Sequence, residues 1–407
     1  MQIVKMLAVA SAALIAAGGC TTTPREPELA PFAYDEQLLA VKTMFNNQQA
    51  AAVADPFVGV QAKSGTQTGL FPIKATGVST EPMRLAAEAF LASLGPQQVL
   101  RTQFGIADSE WRRWFNIDNG LFVRQGVSLK EMTPPQREAA FALMHASLSA
   151  RGFAMTEAIR KTDQTLRELN DNAAWLDEEL YYFTLMGIPS PDQPWGWQID
   201  GHHLVINYFV LGDQVVMTPT FMGVEPAVAT TGKYAGNAVL QEEQDAGLAL
   251  MRSLDRNQRA FATLDSRKPG NSIQAEANKD NLVLEYAGVP VNTFSQAQKD
   301  QLIALIALYV GNMDDGHAKI RMDEVSAMID HTWFAWVGDV SDDAVFYYRI
   351  HSPVVLIEFD HQRPVGTAMI NDPEAPTRAH IHTIIRTPNG NDYGKDLLAQ
   401  HLADHAH

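Results

Sequence analysis

Trp195-Gly196-Trp197-Gln198-Ile199-Asp200-Gly201-His202-His203-Leu204-Val205-Ile206-Asn207-Tyr208-Phe209-Val210-Leu211-Gly212-Asp213-Gln214-Val215-Val216 decides the fold class of this chain. Residues 195–200 and 204–211 are dense in β-branched and aromatic side chains, which suit a pleated surface. Gly212-Asp213 is a two-residue turn of the kind that reverses a strand, and residues 214–218 return. Hairpins need no crossover helix, so this stretch predicts antiparallel pairing. Four later runs read the same way: 332–337, 345–351, 354–360 and 379–386.

Upstream the spacing changes. Residues 34–53, 82–94, 133–149 and 155–169 carry apolar positions at helical spacing, and 173–186 continues it with Gly187 as a stop. Thr133-Pro134-Pro135-Gln136 is a helix start: Thr133 caps, proline occupies the first turn and Gln136 stands at the capping-box position. Gly152 reads as the end of that helix. Residues 240–264, 295–310 and 393–405 are helical segments within the later half. The expected fold is α+β, a helical N-terminal half packed on a mostly antiparallel sheet formed by the C-terminal half. The expected organisation is a signal peptide over 1–20, a tether over 21–35 and one large domain over 36–407. That domain changes from a helical subregion, 36–187, to a sheet-rich one, 188–407, at Ile188-Pro189-Ser190-Pro191.

The signal reading rests on Lys5, an apolar run over 6–17 too short to span a bilayer, and Ala17-Gly18-Gly19-Cys20. The small residues running into the sole cysteine resemble a bacterial lipoprotein signal, with lipid on Cys20 and an outer-membrane destination facing the periplasm or exterior. Membrane attachment is then by the lipid alone, and the folded part has no thiol for disulfides or catalysis. A formal charge of −16 without a basic cluster argues against a nucleic-acid partner. There is no phosphate loop, no Gly-x-Ser-x-Gly elbow and no His-Glu-x-x-His helix.

Chemistry is concentrated in the histidines, eleven of the twelve lying after Gly201. On a strand, His380, His382, Ile384 and Arg386 share a face. Two imidazoles at that spacing can supply two metal ligands, although the same residues would also serve hydrogen bonding. His202 and His203 would point to opposite faces if they open the next strand, so one of them is a candidate third ligand. Glu358 and Asp360 share a face of residues 354–360 and are candidates for a carboxylate ligand, a general base or a partner of Arg386. His351, His361 and His401 lie within reach in sequence terms. Asp392, in the turn-coded stretch 387–394, would orient a histidine or cap the last helix, and Arg386 would hold an anionic substrate group. The aromatics Trp195, Trp197, Trp333, Phe334 and Trp336 would line a cleft or fill the core.

Four separate stretches carry a family resemblance: 196–204, 218–226, 353–359, and His380-Ile381-His382 through Asp392-Tyr393-Gly394. Together they resemble a bacterial family known only as a domain of unknown function, DUF3500. The resemblance implies neither an activity nor a metal.

The residues therefore lead to an expected cell-envelope metal-dependent hydrolase or lyase acting on a small or glycan-like substrate. His380, His382 and one of His203 and His202 would hold a divalent ion, zinc before copper or iron. The alternative is a lipid-anchored ligand-binding protein without catalysis.

Overall fold

The computed structural model describes residues 36–404, so the signal segment, the tether, Cys20 and the terminal His405 and His407 lie outside the described residues. Ten α-helices are described: α1 Glu36–Ala54, α2 Glu81–Ser93, α3 Pro96–Thr102, α4 Pro134–Ser147 and α5 Ala150–Leu169 in the first part of the chain. They are followed by α6 Gln241–Ser253, α7 Arg256–Ala262, α8 Gln296–Val310, α9 Asp315–Ala327 and α10 Lys395–Asp404. The start of α4 is as the sequence predicts, with the Thr133 backbone N–H donating to Gln136 Oε1 at 2.9 Å.

The strands are β1 Gln103–Phe104, β2 Val127–Ser128, β3 Tyr182–Gly187, β4 Trp195–Gly201, β5 Leu204–Leu211, β6 Gln214–Val216 and β7 Thr220–Val224. After the intervening helices come β8 Thr263–Asp265, β9 Val289–Pro290, β10 Trp333–Gly338, β11 Phe346–His351, β12 Leu356–His361 and β13 Ile381–Arg386. They form one mostly antiparallel sheet in the order β1-β3-β4-β5-β7-β13-β12-β11-β10-β8. The fold is the expected α+β arrangement. Its two sets of hairpins are joined where β7 meets β13.

Two local readings are corrected. Residues 173–186 do not continue as a helix: 182–187 is β3, paired along its length with β4. A short apolar run fits a helix or a buried strand equally well, and here the neighbouring strand decides. Gly152 does not end a helix but lies inside α5, where a Cβ would come 2.0 Å from the Asn312 carbonyl oxygen. It permits close approach rather than termination.

The two faces of the sheet differ. On one, Tyr348 meets Gly247 of α6 and its hydroxyl lies 2.5 Å from that of Tyr309 of α8, while Trp197 reaches Ser147 of α4. This face is the aromatic core. Trp195, Trp197, Phe334 and Trp336 are buried, so four of the five aromatics flagged in the sequence are core residues, whereas Trp333 is half-buried and stacks on Tyr286. The other face carries Glu358, Asp360, His382 and Arg386 and is covered largely by irregular chain, including residues 268–280.

Candidate metal centre

His382 is opposite Gly223 of β7 and Asp360 of β12, and directly opposed residues in an antiparallel ladder project to the same side. His380 stands two residues before it, its carbonyl accepting from the Gln362 N–H at 2.8 Å and so extending the ladder. The third histidine arrives from the opposite half of the sheet. Gly201 pairs with Leu204, which makes His202-His203 the two-residue loop of the β4–β5 hairpin. His203 has a left-handed φ of 59°, uncommon outside glycine and a conformation that persists where the surroundings enforce it. Its carbonyl accepts from Gly223 N–H at 2.7 Å and its N–H donates to the Asn116 carbonyl at 3.1 Å. Gly223 also provides room, since a Cβ there would stand 3.1 Å from the His203 ring.

The Nε2 atoms of the three rings converge. His380 and His382 are 3.0 Å apart, and each is 3.3 Å from His203. Four-coordinate zinc takes imidazole nitrogens at about 2.0–2.1 Å, which sets neighbouring nitrogens about 3.3 Å apart in a tetrahedron. The observed triangle is that shape, leaving a fourth direction free. Protonation at the far side of each ring explains why a cation fits. His382 Nδ1 lies 2.5 Å from Glu276 Oε1 and His380 Nδ1 lies 2.7 Å from the Arg363 carbonyl, both acceptors. Each ring therefore carries its neutral hydrogen on Nδ1 and presents a bare Nε2 lone pair. Two lone pairs 3.0 Å apart repel unless a cation lies between them. His203 Nδ1 is buried without a hydrogen-bond partner among the described residues.

Burial holds these rings neutral. It lowers His380 to about 4, against a partial pull upward from Glu225, and it lowers His382 to about 3. Burial, together with its three histidine neighbours, takes His203 well below the ordinary range. Protons should therefore compete poorly with a metal. Zinc affinity, measured by equilibrium dialysis, is expected to fall less than about 100-fold from pH 7 to pH 5. Three ordinary imidazoles titrating near 6.5 would lose about 10⁴-fold over that interval.

Carboxylates support the rings from behind. Glu276 is pushed up to about 7 by burial, with His380 opposing. Glu225 sits 3.4 Å from His380 Nδ1 and accepts from the N–H groups of Val365, Gly366 and Thr367. Burial pushes Glu225 up, but His380 and these donors outweigh it and hold it below the usual carboxylate range. Glu276→Gln should preserve the fold and weaken zinc binding by about 10–100-fold, the usual cost of losing a ligand's supporting carboxylate; competition with a zinc-sensing dye would read this.

His202 has a different place from the one expected. It does not diverge from His203 but stacks on it, ring centroids 3.9 Å apart, because both belong to a turn rather than a strand. It is not one of the converging ligands. Its Nδ1 donates to Asp163 Oδ1 at 2.6 Å, and the Tyr181 hydroxyl lies 2.8 Å from the other oxygen of Asp163. Burial disfavours the charged ring, yet Asp163 prevails and raises His202. A cleft of about 690 Å³ ends on His202, His203, His380 and His382.

Glu358, Asp360, Arg386 and Asp392 are not gathered at the three imidazoles. Glu358 accepts from Tyr347 at 2.5 Å and from Ala275 N–H at 2.8 Å. Asp360 pairs with Lys268 at 2.8 Å and accepts from Ser272 N–H at 2.7 Å. Arg386, fully buried, donates to the carbonyls of Ala275 and Glu276 and pairs with Asp280 and Asp392. With its donors committed there, Arg386 is not a substrate clamp. Asp392 orients no histidine; it holds Arg386 and accepts from Thr387 N–H at 2.7 Å. Glu358, Asp360 and Arg386 instead pin residues 268–280 to the sheet, and that segment presents Glu276 to His382. His351, His361 and His401 are not part of the converging group.

Glu276 and Asp163 are absent from the sequence reading. Glu276 lies in an aperiodic stretch and gave no signal. Asp163 did: it follows Ile159 by four and precedes Leu166 by three on α5, an acid on the buried helix face, which calls for a partner.

No curated protein and no solved structure is significantly similar to this chain. One family profile, described as a protein of unknown function, matches residues 76–395, a span holding all three converging histidines together with Glu225, Glu276 and Asp163. The chain belongs to the DUF3500 family.

Proposed function

We propose that this protein is a metal-dependent hydrolase or lyase of the cell envelope, lipid-anchored at Cys20, with one divalent ion, zinc before copper or iron, held by His203, His380 and His382. The convergence of three Nε2 atoms at 3.0–3.3 Å carries this reading. Three protein ligands with a free fourth direction toward a cleft is the pattern of catalytic rather than structural zinc. A bound ion would polarise a substrate carbonyl or acidify a coordinated water. The chain supplies the remainder. Glu276 and the Arg363 carbonyl fix the orientation of His382 and His380. His202, oriented by Asp163 and lining the cleft beside His203, is positioned to exchange a proton with the reacting group.

The test uses the protein from residue 21 onward, made without a histidine tag. Its metal is determined by elemental analysis, and turnover of ester, amide, lactone and glycoside panels is compared before and after chelation. About one metal per chain, with chelator-sensitive turnover restored by the same metal, is the expected result. Failure to take up zinc, copper or iron would sink the proposal.

A further inference from the structure

The cleft leading to the three imidazoles has two chemistries. Its floor is polar, made by the histidines with Glu225 behind His380. Its walls are mostly apolar, including Phe45, Leu121, Leu166, Trp175, Leu176 and Val365, with Asn116 and Asn170 among the polar exceptions. No lysine or arginine is among the described residues lining it, whereas Asp118 and Asp171 are. Arg124, whose charge is felt at Asp118 and His202, is already engaged by Asp200 at 3.1 Å and by the Ile117 carbonyl at 2.8 Å. Arg386 is fully buried in its own ion pairs.

The apolar walls are held in position. Trp175 packs beside Gly120, where a Cβ would come 3.1 Å from the indole. Val365 remains 75% exposed at the lip, yet its backbone N–H is tied to Glu225 at 3.0 Å. An exposed aliphatic residue fixed at the mouth of a cleft offers apolar contact to an entering ligand. The 690 Å³ of space falls within the range of about 300–1,000 Å³ typical of small-molecule sites.

Resting on the metal-centre reading, we infer that the substrate is a carbonyl compound with a neutral or cationic, apolar acyl or aryl body, and not an acidic glycan or another substrate whose body carries anionic groups away from the reacting centre. Its reacting polar group meets the histidines, and its body lies along Leu121, Trp175, Leu176 and Val365. An anionic body would be desolvated among apolar walls and acidic side chains with no guanidinium or ammonium among the described lining residues to receive it.

Hydroxamates, which ligate zinc, test this on the zinc-loaded protein by calorimetry. Octanohydroxamate is expected to bind at least about tenfold tighter than acetohydroxamate, since buried methylenes add affinity. The same chain ending in a carboxylate should lose that gain, and one ending in an ammonium should lose less. Trp175→Ala combined with Leu176→Ala should remove the gain while zinc stoichiometry and acetohydroxamate affinity hold; Trp175→Phe should retain it. Equal affinities across the series, or preference for the carboxylate-ended chain, with zinc bound one to one, would overturn the substrate inference and leave the metal centre standing. Failure to take up zinc, copper or iron would overturn the metal-centre reading and this inference with it.

Discussion

His380→Ala and His382→Ala are each expected to reduce bound metal from about one ion per chain to below about a tenth, with His203→Ala doing the same. Each change removes one of three converging nitrogens, and a catalytic site of this type has no spare protein ligand. Loss of a supporting carboxylate alone costs about 10–100-fold in affinity, so loss of a ligand should exceed that. The exposed His331→Ala serves as the control and should bind metal like the parent. The substitutions also strip partners from the Arg363 carbonyl and from Glu276, at about 1–3 kcal/mol for each buried group left unsatisfied. Unfolding in urea must therefore be followed alongside elemental analysis. A folded His380→Ala/His382→Ala double variant that retains its metal would remove the basis for the function proposed.

Arg386→Met should cost stability rather than chemistry. Its guanidinium is fully buried, with Asp280 at 2.9 Å, Asp392 at 3.0 Å and two backbone carbonyls around it. Removing one member of a buried ion pair leaves the other uncompensated, and about 3–5 kcal/mol is the usual loss. Asp280 retains Arg112 at 2.8 Å, so most of the deficit falls on Asp392. Chemical denaturation of the zinc-free protein would show the shift. The folded fraction should still bind zinc, weakened to the extent that residues 268–280 loosen and Glu276 withdraws from His382. Unchanged stability with lost turnover would instead return Arg386 to the substrate-binding role that its type and position suggest in the sequence.

The contrast between these variants shows what local pattern conveys. His380 and His382 were recognisable as a pair because period-two alternation needs only one strand. Glu358, Asp360 and Arg386 were recognisable as polar groups on the same face, but their roles were not. Whether a buried carboxylate meets a metal or a backbone N–H depends on which distant segment covers the strand. Here residues 268–280, an aperiodic stretch, cover it. His202 was misplaced for a related reason. Apolar content marks a strand but not its first residue, and a start at Leu204 rather than His202 leaves two side chains expected to diverge as a stacked pair within a turn.

By itself the sequence determined the α+β class, the antiparallel hairpins, the helix start at Thr133 and the His380–His382 pair. All of these rest on interactions within a few residues, where spacing and turn chemistry suffice. Only the tertiary structure decided that β7 lies between β5 and β13. That neighbourhood brings His203 across 177 residues to within 3.3 Å of His380. It also decided which carboxylates stand behind the imidazoles and which side chains wall the cleft. Strand order and the packing of irregular chain come from burial summed over the whole sheet, a quantity that no local window of sequence contains.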